Sequence, residues 1–190
     1  MDDRELSRAE DDLASHRPVT ARRLSHVLSH GEGISLIVEV DGADAAHQAE
    51  QAGATALVLT GGVDARLVRE ATALPLVVFE RDANEHASGC IVQPDVANLD
   101  FRDDLEIIFS VETDEQLEEV LERHDPEILL LRGPRDEAET VSRVLELLAD
   151  VPAGKLAIAA VWEPRPDELA QLERAGVDAV LAGDLNHFHA

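Results

Sequence analysis

Lysine is almost missing from this chain: Lys155 is the only one in 190 residues. Only 16 basic residues of either kind stand against 40 acidic ones, a formal charge of -24. That balance argues against nucleic acid or an anionic membrane as partner, because both would be repelled. An acidic, lysine-poor chain with 3% aromatic residues fits a salt-rich cytoplasm, where screening removes the self-repulsion felt in dilute buffer. Cysteine is equally scarce. Cys90 stands alone, which rules out an intramolecular disulfide and leaves no demand for an oxidising compartment. No Pro/Gly/Ser-rich linker divides the sequence, and its length suits one substantial core, so a single domain is expected. The charged, polar N-terminus lacks an apolar segment suited to a signal peptide or a membrane span, so the expected location is cytoplasmic. Absent too are a P-loop, a dinucleotide fingerprint and a Gly-x-Ser-x-Gly elbow.

What is present is a repeated phrase. From Pro166 to Asp184, Leu169, Leu172 and Ala175 share a helical face, Gly176 suits a left-handed helix end, and Asp178 to Ala182 is a short apolar run. The stretch Ala52-Gly53-Ala54-Thr55-Ala56-Leu57-Val58-Leu59-Thr60 aligns without a gap with Ala175 to Gly183. Two copies of one helix-Gly-strand unit point to a repeating α/β architecture with a parallel sheet.

In order along the chain, Asp2 to Ser29 reads as helical, with Leu24, Val27 and Leu28 as its apolar stripe and Pro18 as an interruption. Eight apolar runs then predict strands at Ile34–Val40, Ala56–Thr60, Pro75–Phe79, Cys90–Gln93, Leu105–Val111, Glu127–Leu131, Leu156–Val161 and Asp178–Ala182. Helices are expected over Ala43–Ala52, from the Asp64 cap to Ala73, over Thr113–Arg123 with a Thr113/Gln116 capping box, over Asp136–Ala149, and after Pro166. Glu80 to Gly89 and Pro94 to Asp104 are too thin for full crossover helices. The predicted fold is a reduced (β/α)8 TIM barrel of residues 34–190, with helices shortened or missing around the fourth strand and a helical extension over residues 1–33. Such barrels usually take about 250 residues. An open doubly wound parallel sheet is the competing topology.

Several of these segments resemble indole-3-glycerol phosphate synthase, the barrel enzyme that closes the indole ring in tryptophan synthesis. Gly53-Ala54 through Leu59-Thr60 is similar to the family's second strand, Leu74-Pro75-Leu76-Val77 to its third, Leu105 to Leu117 to its fifth strand and following helix, and Lys155 to Leu185 to its ending. The resemblance implies that the acidic residue of the first strand is kept as Glu39. It also implies that the catalytic lysine of the third strand has become Phe79, the lysine after Glu39 has become Asp41, and the fifth-strand glutamate has become Ser110. Ala159-Ala160-Val161-Trp162 and Gly183-Asp184-Leu185 replace the family's final two motifs. Lysine-dependent ring closure cannot run on this set, since Lys155 precedes its strand and so falls at the wrong end of a barrel.

In a parallel barrel the informative residues follow each strand. Glu39 is the leading acid–base or ligand-contacting candidate, because a carboxylate inside an apolar strand demands a partner or a raised pKa; pairing with an arginine is its structural alternative. Arg81, Arg132 and Arg135 can grip a carboxylate or phosphate, or balance neighbouring acids. Gly61 and Gly62 can wrap a phosphate or simply turn the chain. Trp162, Gly183 and Asp184 complete the expected ligand-binding set. His26 with His30, and Asp184 with His187 and His189, have metal-like spacing but lack a further diagnostic ligand, so neither a metal nor a cofactor is expected. Three functions follow: a divergent barrel binding a small metabolite, phosphorylated ones included, without the ancestral chemistry; a structural barrel whose bared apolar surface is covered by a second copy; or a lyase or isomerase using Glu39.

Overall fold

A computed structural model of the chain describes residues 23–31, 33–96, 101–134 and 137–183. Arg135, Asp184, Asn186, His187, His189, His16 and the predicted helix ahead of Arg23 lie outside the described residues. Eight parallel strands close into a barrel: β1 (Ser35–Val40), β2 (Ala56–Leu59), β3 (Leu76–Phe79), β4 (Gly89–Val92), β5 (Glu106–Val111), β6 (Ile128–Arg132), β7 (Leu156–Val161) and β8 (Ala179–Ala182). The closing pair is β8 against β1, with Ser35 opposite Ala179 and Val38 opposite Ala182. That pairing excludes the open sheet.

The strands are nearly continuous apolar runs because both of their faces are buried. Side chains alternate, so Ile37, Val58, Val77, Ile91, Ile108 and Ile158 fill the barrel interior. Their neighbours, among them Leu57, Val78, Phe109, Leu129 and Ala159, form the shell between strands and helices. Helix α1 (Leu24–His30) caps the amino end of the barrel, with Leu24 and Leu28 joining the interior cluster. Its first backbone N–H groups, those of Leu24 and Ser25, donate to the Glu106 carboxylate at the start of β5. A carboxylate there satisfies donors that a helix start leaves without an intrahelical partner.

Helices α2 (Ala43–Gln51), α3 (Ala65–Ala71), α4 (Asp114–His124), α5 (Glu137–Ala149) and α6 (Pro166–Ala175) follow β1, β2, β5, β6 and β7. The sequence signals are realised locally. Asp64 accepts from the N–H of Arg66, Thr113 and Gln116 form their capping box, and Gly176 ends α6 at φ 96°.

No helix follows β3 or β4 among the described residues, where only a 3₁₀ turn, Glu80–Asp82, is formed. Two arginines hold the short connection in the helices' stead. Arg69 donates to the carbonyls of Leu74 at 2.8 Å and His86 at 3.3 Å and to Ser88 Oγ at 3.4 Å, while Arg102 donates to the carbonyl of Ala87 at 2.9 Å. The outer faces of β3 and β4 are therefore closed by the chain itself: Val78, Cys90 and Val92 are all buried. Among the described residues, no bare apolar surface of the kind expected to recruit a second copy is found there. Among the described residues the exposed large hydrophobics are Leu67 and Trp162, and no helix is long and apolar enough to cross a membrane.

Candidate functional site

The carboxyl ends of the strands form the mouth of the barrel, and strand parity decides what lines it. On β5, Ile108 points inward, so Ser110 shares its side. On β6, Ile128 and Leu130 point inward, so Arg132 follows them. Arg132 is only 3% exposed, at the last residue of β6. Its Nη1 lies 2.8 Å from Glu112 Oε1 and donates to Ser110 Oγ at 3.5 Å. A charge so deeply placed is tolerated because a carboxylate and a hydroxyl accompany it. Glu112 leaves 40% of its side chain to solvent, so this group of three reaches from the interior to the rim.

Across the mouth, Glu39 leaves β1 where β8 ends. Its side chain lies over Gly183, so closely that a Cβ on Gly183 would meet Glu39 Cγ and Cδ at 2.6 Å. Gly183 therefore serves as the seat of Glu39, and any side chain there would displace the carboxylate. Between the two groups stands Trp162. Arg132 pairs with Ala160 of β7 and Val161 pairs with Ala182 of β8, so Trp162, 39% exposed, follows β7 directly between β6, which carries Arg132, and β8, which Gly183 follows.

Other predicted residues are less convergent. Arg81 lies in the 3₁₀ turn, with Nε 3.6 Å from Asp82 Oδ2 in an exposed ion pair, a geometry worth little on a solvated surface. Gly61 and Gly62 take φ of 71° and 72° with open space around both, the geometry of a turn. Thr60 closes β2 on β1, its N–H donating to the Val40 carbonyl at 3.1 Å. The His26 and His30 rings lie tilted at 42° to one another with centroids 4.2 Å apart, and no group of three metal-capable side chains occurs among the described residues. Cys90 is buried on the outer face of β4, and burial, with Glu80 and Asp82 adding, pushes its thiol up to about 12.

Two positions bear on lysine chemistry. Phe79, the position where the sequence resemblance implied a lost lysine, is buried in the barrel interior at the end of β3. Lys155 sits before β7, at the opposite end of the barrel, and is ion-paired with Asp125 Oδ1. That end also carries a cleft of about 310 Å³ between β5 and β6, where the Phe109 and His124 rings stack 4.6 Å apart. The sequence alone did not join Ser110 and Glu112 to Arg132. Parity on β5 and β6 was the signal for Ser110, whereas the Glu112 pairing depends on how the chain bends after β5.

No protein-family model and no curated protein matches the sequence. Among solved structures, the chain is similar to (S)-3-O-geranylgeranylglyceryl phosphate synthase from Thermoplasma acidophilum, in complex with sn-glycerol-1-phosphate, at 12% identity and a TM-score of 0.60, covering 86% of this chain and 91% of that one. It is similar to GGGPS of Thermoplasma volcanium at 10% identity and 0.61, covering 85% and 90%. Phosphoenolpyruvate phosphomutase from Streptomyces platensis subsp. rosaceus gives 13% and 0.63, covering 85% and 79%. At such identities the likeness establishes the architecture alone: this chain is a TIM barrel, closed by eight strands and, among the described residues, without helices after the third and fourth.

Proposed function

We propose that this chain is a divergent barrel of the indole-3-glycerol phosphate synthase type that has lost lysine-dependent ring closure and binds a small anionic metabolite, phosphorylated ones included, at the mouth. It does so in a salt-rich cytoplasm. One observation carries the reading: a buried guanidinium, Arg132, sits at the carboxyl end of β6, while the aligned lysine position is filled by buried Phe79. Arginine keeps its charge at any ordinary pH and offers a planar fork of donors matched to a carboxylate or phosphate. The glycerol phosphate bound by the Thermoplasma acidophilum enzyme supports an anionic ligand for a barrel of this shape. Without a lysine at the mouth, no group remains to act as the family's general acid.

The test is a thermal-shift screen of sugar phosphates and carboxylates in molar potassium chloride. The reading expects an anion that raises the melting temperature of the wild type and not of Arg132→Met, together with no indole formation from the anilino-deoxyribulose phosphate. Appreciable ring closure, or indifference to every anion, overturns it. A second reading, a lyase or isomerase with Glu39 as the acid–base group, draws on the carboxylate held over Gly183. Unchanged turnover in Glu39→Gln would remove that role.

A further inference from the structure

The cleft at the amino end of the barrel lies away from the mouth, and its position follows from the reduced fold. In a complete barrel a crossover helix between β4 and β5 covers the outer side chains of β5. None occurs there among the described residues, and Ile107 on that face is only partly buried. The cleft of about 310 Å³ opens beside it, a size that holds a small molecule. Leu105, Phe109, Pro126 and Ile128 give it an apolar floor. That floor ends in the half-buried imidazole of His124, stacked on Phe109.

The rim is acidic, with Asp103, Asp104, Glu106 and Glu127 set against one cation among the described lining residues, Arg23. Two of the four carboxylates are already engaged. Asp104 Oδ1 is 3.0 Å from Arg102 Nε, and Glu106 receives the first N–H groups of α1. Asp103 and Glu127 are exposed, and neither side chain has a partner among the described residues. An anion is repelled by this rim, and a neutral molecule gains nothing from its charge. A quaternary ammonium brings charge without a donor. A primary ammonium brings three N–H donors, and carboxylates accept them in charge-assisted bonds. An aromatic ring on the same molecule matches the other half of the cleft, where it extends the stack of Phe109 and His124 over apolar side chains.

We infer that this cleft is a binding site for a primary arylalkylamine, its ring on the Phe109 and His124 floor and its ammonium at the Asp103 and Glu127 rim. The site is separate from the mouth and stands or falls independently of the anion proposed there.

A chain of charge -24 attracts cations over its whole surface, so the test must separate the cleft from that background. Isothermal titration calorimetry of the full chain, at the lowest potassium chloride concentration that keeps it folded, compares phenethylamine with three relatives: 2-phenylethanol lacks the charge, ethylamine lacks the ring, and phenylacetate reverses the charge. Phenethylamine is expected to bind at one site per chain and at least about tenfold more tightly than each of the others. Asp103→Asn and Glu127→Gln are each expected to weaken phenethylamine by about two- to fivefold, the worth of one exposed charge contact, and to leave 2-phenylethanol unaffected. Binding of ethylamine as tight as that of phenethylamine, or of several equivalents per chain, would assign the attraction to the acidic surface as a whole and overturn the inference. Equal affinity for phenethylamine and 2-phenylethanol removes the rim carboxylates from the site and sinks it. Unchanged affinity in both carboxylate variants, or no saturable binding at all, has the same consequence.

Discussion

Gly183 has no room for a side chain, and the reason is the Glu39 side chain lying against it, not backbone conformation. Replacing it with alanine drives a methyl group into Glu39 Cγ and Cδ at 2.6 Å, and overpacking of this kind costs about 1–3 kcal/mol. Gly183→Ala should lower the melting temperature accordingly. Glu39→Ala in the same background should restore part of the loss, a coupling of at least about 0.5 kcal/mol in a double-mutant cycle. Additive losses would mean that the two residues do not touch. Cys90 gives a second residue-scale expectation, this time in pH. Burial first, then Glu80 and Asp82, moves its thiol from 9.0 up to about 12. The unfolded chain releases that proton near its ordinary value while the folded chain keeps it. Stability from this group is thus whole below about pH 9 and declines as pH rises toward 12, by at most about 1.4 kcal/mol per pH unit. The window is unusually clean because the chain has no tyrosine and a single lysine. Chemical denaturation at stepped alkaline pH should show that slope in the wild type and a flatter one in Cys90→Ala; parallel slopes would refute the assignment.

The shortened connection around β4 is the element on which the reduced barrel depends. Arg69 reaches back from α3 to three acceptors, the carbonyls of Leu74 and His86 and the hydroxyl of Ser88, and Ser88 in turn accepts from the N–H of Leu76 at 3.3 Å. Removing a charged donor from partly buried acceptors costs about 1.5–3 kcal/mol. Arg69→Met is therefore expected to lower stability by that order and to speed amide exchange over residues 84–88 while α4 keeps its protection. Uniform exchange across both regions would show that the arginine is not the staple. This element also marks where sequence reading stops. The eight strands, the Thr113 cap and the Gly176 stop were legible because each is written in residues adjacent along the chain, as apolar runs or short-range side chain to backbone bonds. The absence of helices after β3 and β4 was legible from length alone. What replaced them was not, since Arg69 and Ser88 are 19 positions apart and nothing in their spacing announces a bond. The mouth divides in the same way. Glu39 and Arg132 stand out as charges at the ends of apolar strands, but the seating of one on Gly183 and the pairing of the other with Glu112 follow from register and loop path.

At the scale of the whole molecule, charge is the dominant fact. A formal charge of -24 repels itself in the compact state more than in the open chain, and the interaction reaches about 10 Å at a tenth molar salt but about 3 Å at one molar. Salt should therefore stabilise this protein until screening is complete, even though it weakens exposed ion pairs such as Arg123 with Glu119. The effect has a local test on α4, whose sequence DEQLEEVLERH places Glu118 three residues after Glu115 and four before Glu122. All three are exposed. Like charges at those spacings oppose a helix by about 0.2–0.5 kcal/mol per pair. Glu118→Lys turns both repulsions into attractions and removes two units from the global excess without touching the core or the mouth. It is expected to raise the unfolding free energy by about 0.5–1 kcal/mol in dilute buffer, as read by urea denaturation, and by little or nothing in molar potassium chloride. A gain of equal size in both solvents would show that helix propensity, and not charge, was responsible, and would remove the electrostatic account of this acidic surface along with it.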